Sequence, residues 1–299
     1  MSPHRLSGVY AAAVTPVRAN GGPDVDALPE LLRFLASRGC HGALILGTTG
    51  EGPSFSPAER EALWRSALPI REEFPRFRLL AGTGTPSLSE TVDLTQLAFR
   101  LGFDGVVTVP PYYYRNASAE GLFEWFRRLI EQAVPEEGTL LGYHFPRVAG
   151  IGFSLDLLEQ LMDAFPRRFA GIKDSSHDED FALDLGRRFG ADLAVFNGTD
   201  SMFSLALQNH AAGCITAAAN VISPLLRQVY DLANQGQDPS VPQASVTRYR
   251  RALEEYPPFP AGVKALLHRL HDFPRWPLRP PLLALSQQQE EGLVSAFGA

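Results

Sequence analysis

Lysine is almost missing from this chain. Of the 27 basic residues among 299, two are lysine, Lys173 and Lys264, and the other 25 are arginine. A surface that needed only positive charge used arginine almost everywhere, so Lys173 marks either a place where arginine does not serve or a charge that merely caps a strand. A guanidinium stays protonated, whereas an amine desolvated in an apolar pocket can lose its proton and attack a carbonyl. Cysteine is as scarce: Cys40 and Cys214 each adjoin a glycine at the start of a strand-like run, where a small buried thiol is expected rather than a disulfide or a metal ligand. Clusters of basic residues interleaved with aromatics are lacking, and the net charge of -6 with a pI near 5.7 excludes a nucleic-acid footprint. No apolar run approaches the length of a membrane span, and Met1 to Gly8 lack the apolar core of a signal peptide. The expected location is cytoplasmic, with no membrane partner.

The chain contains an alternation of short β-rich runs with amphipathic helical patterns. Strands are expected at Val9–Thr15, Gly42–Leu46, Arg78–Ala81, Gly105–Val109, Leu140–Phe145, around Lys173, at Leu193–Asn197 and at Gly213–Ala217. Between them the pattern predicts helices at Asp26–Ser37, from Ser56 towards Phe74, from Ser87 to near Leu101, and at Leu122–Glu131. Further helices are expected at Leu155–Met162, Glu179–Phe189 and Ser201–Asn209, with another at Val221–Gln235. Ser56-Pro57-Ala58-Glu59 and Ser87-Leu88-Ser89-Glu90 both read as capping boxes. Eight such units in about 225 residues are the count and length of an α/β fold of the (β/α)8 barrel type, necessarily parallel because each helix is a crossover. A doubly wound sheet is disfavoured because no strand leads into a Gly-x-Gly-x-x-Gly turn; Gly82-Thr83-Gly84 lacks the third glycine. Proline clusters at Pro257–Pro260 and Pro274–Pro281 then mark a change of pattern. The expected division is a barrel at 1–225 carrying the active site and a C-terminal helical appendage at 226–299.

Barrel enzymes place chemistry at the C-terminal ends of strands. Here the second strand ends in Gly47-Thr48-Thr49-Gly50-Glu51, the fourth in Pro110-Pro111-Tyr112-Tyr113-Tyr114-Arg115, the fifth in Gly142-Tyr143-His144-Phe145-Pro146 and the sixth in Gly171-Ile172-Lys173. Backbone N–H groups and hydroxyls of the threonine turn suit a carboxylate; the same residues also suit a plain tight turn. Side chains alternate along a strand, so if Tyr143 faces inward then His144 faces the helices as a packed histidine, and Lys173 shares the inward face with Gly171. A tyrosine beside an amine can carry protons for imine chemistry, or be a buried aromatic with a satisfied hydroxyl.

These four motifs, in this order and at these separations, resemble the dihydrodipicolinate synthase / N-acetylneuraminate lyase family of pyruvate-dependent class I aldolases. The resemblance covers nearly the whole chain, extending to Ala13-Val14-Thr15-Pro16, Asn197-Gly198-Thr199-Asp200 and Ala219-Asn220-Val221. It implies a barrel with a helical C-terminal domain, Lys173 as the imine-forming lysine and Tyr143 as the proton shuttle. Thr48 and Thr49 would hold the pyruvate carboxylate, with Thr49 also joining a hydroxyl relay to Tyr143. Tyr113 would complete that relay in a neighbouring subunit of a homotetramer. Gly198 and Ile215 would line the pocket. No cofactor is implied, and the seven histidines include no His-x-His pair, which counts against a metal-dependent aldolase.

One departure bears on substrate. The dihydrodipicolinate synthase branch has an arginine five residues after the tyrosine for an acidic aldehyde; Val148 stands there, and Arg147 is one residue early. The acidic residue that the lyase branch has after the seventh strand matches Asp200, but the glutamate that follows it in sialic acid lyases is Ser201 here. The expectation is therefore an aldolase cleaving a 2-keto-3-deoxy sugar acid or related 4-hydroxy-2-oxo acid to pyruvate and an aldehyde, with Asp200, Ser175 and Ser176 as polar partners. A dehydratase using the same imine, 4-hydroxy-tetrahydrodipicolinate synthesis, and a catalytically silent keto-acid-binding barrel are the alternatives.

Overall fold

The computed structural model describes residues 4–298. Met1 to Pro3, which open the stretch inspected for a signal peptide, and Ala299, which ends the expected appendage, lie outside the described residues. Eight parallel strands follow one another in chain order around a closed barrel. The order is β1 (Gly8–Ala12), α1 (Ala27–Ser37), β2 (Gly42–Ile45), α2 (Pro57–Ala67), α3 (Ile70–Glu73), β3 (Arg78–Gly82), α4 (Leu88–Arg100), β4 (Gly105–Thr108), α5 (Ala119–Ala133) and β5 (Leu140–His144). It continues with α6 (Pro146–Ala149), α7 (Leu155–Ala164), β6 (Phe169–Asp174), α8 (Glu179–Phe189), β7 (Ala194–Asn197), α9 (Phe203–Gln208) and β8 (Gly213–Thr216). After the last strand come α10 (Ala219–Asn234), α11 (Ser240–Glu254), α12 (Phe259–His271) and α13 (Gln287–Ala296). This is the TIM barrel with C-terminal helices that the β/α count predicts. Among the described residues no helix is long and apolar enough to cross a membrane.

The chain packs as two compact units. Among the described residues, the first comprises Arg78–Cys214 with residues 4–8, and the second comprises Val9–Phe77 with residues 215–298. In the first, β3 to β7 pair in parallel register, and the fully buried Phe126 of α5 packs on Phe153 and Phe169. In the second, β1 pairs with β2, and Leu28, Leu31, Leu32 and Leu35 bury one face of α1, as their i, i+3, i+4, i+7 spacing dictates.

Several boundaries differ from the sequence pattern, each for a local reason. The helix from Ser56 does not run on to Phe74; it ends at Ala67 and restarts as α3 after Pro69, a residue with no N–H to continue the ladder. Ser56 and Glu59 form the full capping box, but Ser87 makes only its half, accepting from the Glu90 N–H while its hydroxyl also meets Ser89. The first strand ends at Ala12 rather than Thr15. Val14 gives its N–H to the Asn220 side chain and Thr15 gives its hydroxyl to the Gly50 carbonyl, which takes both residues out of the ladder. The chain after β5 does not extend as a strand, because Pro146, whose fixed φ suits a first helical position, opens the single turn α6. The Ser201–Asn209 helix is preceded by a 3-10 turn at Asp200–Met202. The helix expected from Val221 begins at Ala219 as α10 and bends at Ile222 ahead of Pro224.

Candidate active site

In the first unit, β5 and β6 pair so that Tyr143 stands opposite Lys173. Opposed residues of neighbouring strands share a face, and the Lys173 Nζ lies over the Tyr143 ring, 4.1 Å from its centroid. Both side chains are buried, and Phe145 stacks with the tyrosine ring. Among the described residues, the Lys173 amine makes no hydrogen bond and no ion pair. A buried amine without a counter-charge costs stability, which marks this group as a candidate for chemistry.

The loops after β6 and β7 close tightly beside this pair. The Gly198 N–H donates to the Asp174 carbonyl at 2.7 Å, and a Cβ on Gly198 would strike the Ser175 hydroxyl, so only glycine allows the two loops to meet. Ser175 and Asp200 are buried, and Asp200 opens the 3-10 turn before α9. Burial pushes the Asp174 carboxyl up to about 6, against the pull of its hydrogen bond from the Ser176 N–H. Tyr113 and Val148 lie outside the cluster. Tyr113 is 76% exposed and edge-on to Tyr114, and Val148 is 58% exposed on α6. Arg147, one residue earlier on the same helical turn, is exposed and lies about 100° away around its axis.

His144 takes the opposite face of β5. Its ring stacks on Phe181 of α8 at 4.3 Å, and its Nδ1 accepts the Phe153 N–H at 2.9 Å, which leaves that nitrogen unprotonated. Burial holds the imidazole down at about 4, with Asp178 pulling weakly upward. The unfolded chain therefore binds a proton near pH 6.5 that the folded one refuses until about 4, and stability present above 6.5 is lost as pH falls towards 4. His144→Asn keeps an acceptor but does not titrate. Urea titrations at pH 7 and pH 4.5 should show wild type losing about 2 kcal/mol more than the variant, and equal losses would place the acid sensitivity elsewhere. Asp174 acts in the opposite sense, costing stability as pH rises through 6, and cancels in the comparison.

The second unit holds the threonine turn. Thr48 is exposed and Thr49 buried. The Glu51 N–H donates to the Thr48 carbonyl and the Gly52 N–H to the Gly47 carbonyl, both at 3.1 Å, so the turn folds onto itself. Among the described residues, the N–H groups of Thr49 and Gly50 and the Thr49 hydroxyl have no hydrogen-bond partner. Three such donors in one turn are of the kind that suits an anion. Ile215 is fully buried at the centre of β8.

The other lysine is the feature the sequence did not disclose. Lys264 of α12 is buried and ion-paired, its Nζ 2.5 Å from Glu51 Oε1 and 2.8 Å from the Pro277 carbonyl. Burial holds this ammonium below the usual lysine range while Glu51 opposes the shift. The one signal was its rarity, which it shares with Lys173. Asn220, noted only as part of a motif, ties β1 to α10 through the Val14 N–H and the Ala12 carbonyl. Among the described residues, no three His, Cys, Asp or Glu side chains gather as metal ligands would.

A family model described as the dihydrodipicolinate synthetase family matches residues 5–299. A DapA-like lyase of Chloroflexus aurantiacus is 36% identical over 291 residues, covering 97% of this chain and 95% of that protein. The 4-hydroxy-tetrahydrodipicolinate synthase of Prochlorococcus marinus is 30% identical over 303 residues, covering 100% of this chain and 97% of the relative. Among solved structures, dihydrodipicolinate synthase from Cyanidioschyzon merolae with lysine bound matches with a TM-score of 0.90 at 25% identity, covering 98% of each chain.

Proposed function

This chain belongs to the dihydrodipicolinate synthetase family, carbon–carbon lyases of the class I aldolase type, and from that premise we propose that it cleaves a 2-keto-3-deoxy sugar acid, or a related 4-hydroxy-2-oxo acid, to pyruvate and an aldehyde through an imine on Lys173. The observation that carries this reading is the contrast between the lysines: Lys173 is buried over the Tyr143 ring with no hydrogen bond or ion pair to its amine among the described residues, whereas Lys264 is spent on Glu51.

The chemistry follows from the residues. The Lys173 amine, on giving up a proton, adds to the C2 carbonyl, and the carbinolamine loses water to give an iminium. That cation draws the C3–C4 bonding electrons as Tyr143 accepts the proton of the C4 hydroxyl, so the bond breaks, the aldehyde leaves and an enamine remains. Protonation at C3 and hydrolysis return the amine and release pyruvate. Thr48 and Thr49 are assigned the substrate carboxylate, with the N–H groups of Thr49 and Gly50 as donors. Gly198 and Ile215 are assigned to the pocket wall, and Tyr113 to the completion of a partner's site in a homotetramer, for which its exposure leaves it available. Sedimentation at micromolar concentration should give a tetramer; a fully active monomer would remove Tyr113 from the site. A cytoplasmic location is proposed with this metabolism.

Substrate choice rests on Val148. An acidic aldehyde loses its hydration on entry and needs a cation in exchange, which valine cannot supply. Polyhydroxy aldehydes need hydroxyl and carboxylate partners, a role assigned to Ser175 and Asp200. Pyruvate release from a panel of 2-keto-3-deoxy sugar acids tests the proposal. At least one should be cleaved, condensation of pyruvate with aspartate semialdehyde should be slow, and Val148→Arg should shift the ratio towards the acidic aldehyde. Condensation by wild type at a rate equal to its best sugar acid would favour the 4-hydroxy-tetrahydrodipicolinate synthase activity named for the Prochlorococcus relative.

A further inference from the structure

Glu51 is an unusual residue on its backbone alone. It holds φ 55 and ψ 28, the left-handed region that a side chain with a Cβ seldom enters. The neighbouring Gly52 fits only because it lacks a Cβ, which would run into the Leu46 carbonyl. A strained conformation persists where its surroundings over-determine it, and here they do. The side chain is fully buried and both carboxylate oxygens are engaged: Oε1 by the Lys264 ammonium and Oε2 by the Arg279 backbone N–H at 2.8 Å. Arg279 is itself anchored, its guanidinium donating to the Gly21 and Ser54 carbonyls and to Glu59, and lying over the Phe55 ring at 4.0 Å. The Glu51 N–H closes the turn by donating to the Thr48 carbonyl, so rotation at Glu51 moves the threonine peptides directly.

We propose that Glu51 is a positioning residue for the reaction. Clamped by Lys264 and Arg279, it fixes the turn that aims the N–H groups of Thr49 and Gly50 and the Thr49 hydroxyl at the substrate carboxylate. This rests on the reading of that turn as the carboxylate receptor. A chain that otherwise avoids lysine keeps Lys264 because a compact ammonium with three donors fits between the Glu51 carboxylate and the Pro277 carbonyl, where a planar guanidinium does not.

Borohydride trapping of the pyruvate adduct, followed by intact mass across a range of pyruvate concentrations, separates affinity from nucleophile. Glu51→Gln keeps the size and removes the charge. It should raise the half-saturating pyruvate concentration by roughly 10-fold or more while maximal adduct yield stays near wild type. A folded Glu51→Gln variant with an unchanged half-saturation would overturn the positioning role, since a residue that merely stabilises the fold leaves the folded fraction binding normally. If that variant fails to fold, the neutral pair Glu51→Gln with Lys264→Met serves in the same measurement with the same two outcomes. Thr49→Val runs alongside. If it leaves half-saturation unchanged, the receptor reading falls and the proposal with it; if it raises half-saturation while the Glu51 variant does not, only the positioning role falls.

Discussion

Lys173→Arg is expected to fold normally and form no pyruvate adduct, with turnover reduced at least roughly 10⁴-fold, the scale of losing a covalent catalyst's central group. The charge, the length and the place over the Tyr143 ring are nearly retained, so packing changes little. What disappears is an amine able to lose a proton and attack. Mass analysis after pyruvate and borohydride should show the unmodified chain. The natural rescuer would be the only other lysine, and the structure makes that a poor one: Lys264 is buried, ion-paired with Glu51 and bonded to the Pro277 carbonyl. An adduct of undiminished yield, mapped to Lys264, would overturn the assignment of Lys173.

Tyr143→Phe should lower turnover by roughly 10² to 10⁴, about 3 to 5 kcal/mol of transition-state stabilisation, while barely moving the thermal midpoint. The ring keeps its contacts with Lys173 and with Phe145, so the variant subtracts a hydroxyl and almost no volume. Adduct formation should slow without vanishing, because the nucleophile is intact and water can carry protons less efficiently. Turnover within a few fold of wild type would return Tyr143 to the role of a core aromatic.

The barrel was legible because its signals are local. Apolar runs and i, i+3, i+4 faces repeat with a period that a short window contains, and Gly171-Ile172-Lys173 with Tyr143-His144 revealed which residues face inward through simple alternation. Misreadings fell where a single residue interrupts a pattern. Pro69 splits a helix, Pro146 starts one, and Asn220 ends a strand from more than two hundred residues away. The partnership of Glu51 with Lys264 left no trace in any window, since nothing near Glu51 marks it for a left-handed backbone or near Lys264 for a buried ion pair. Val148 was visible as a departure from the family pattern, and its exposure on α6 came only with the fold.

The clamp on Glu51 joins residues 213 positions apart. A ribosome adding 5 to 20 residues per second has delivered the threonine turn roughly 10 to 40 seconds before Lys264 emerges from the peptidyl centre, and every barrel strand is complete in that interval. With the roles proposed for Lys173, Tyr143 and the threonine turn, a nascent chain owns its nucleophile and its proton carrier well before its carboxylate receptor is set, so reactivity towards pyruvate should switch on late in synthesis. Chains stalled just before α12 should form imine only at pyruvate concentrations far above those that saturate the released protein.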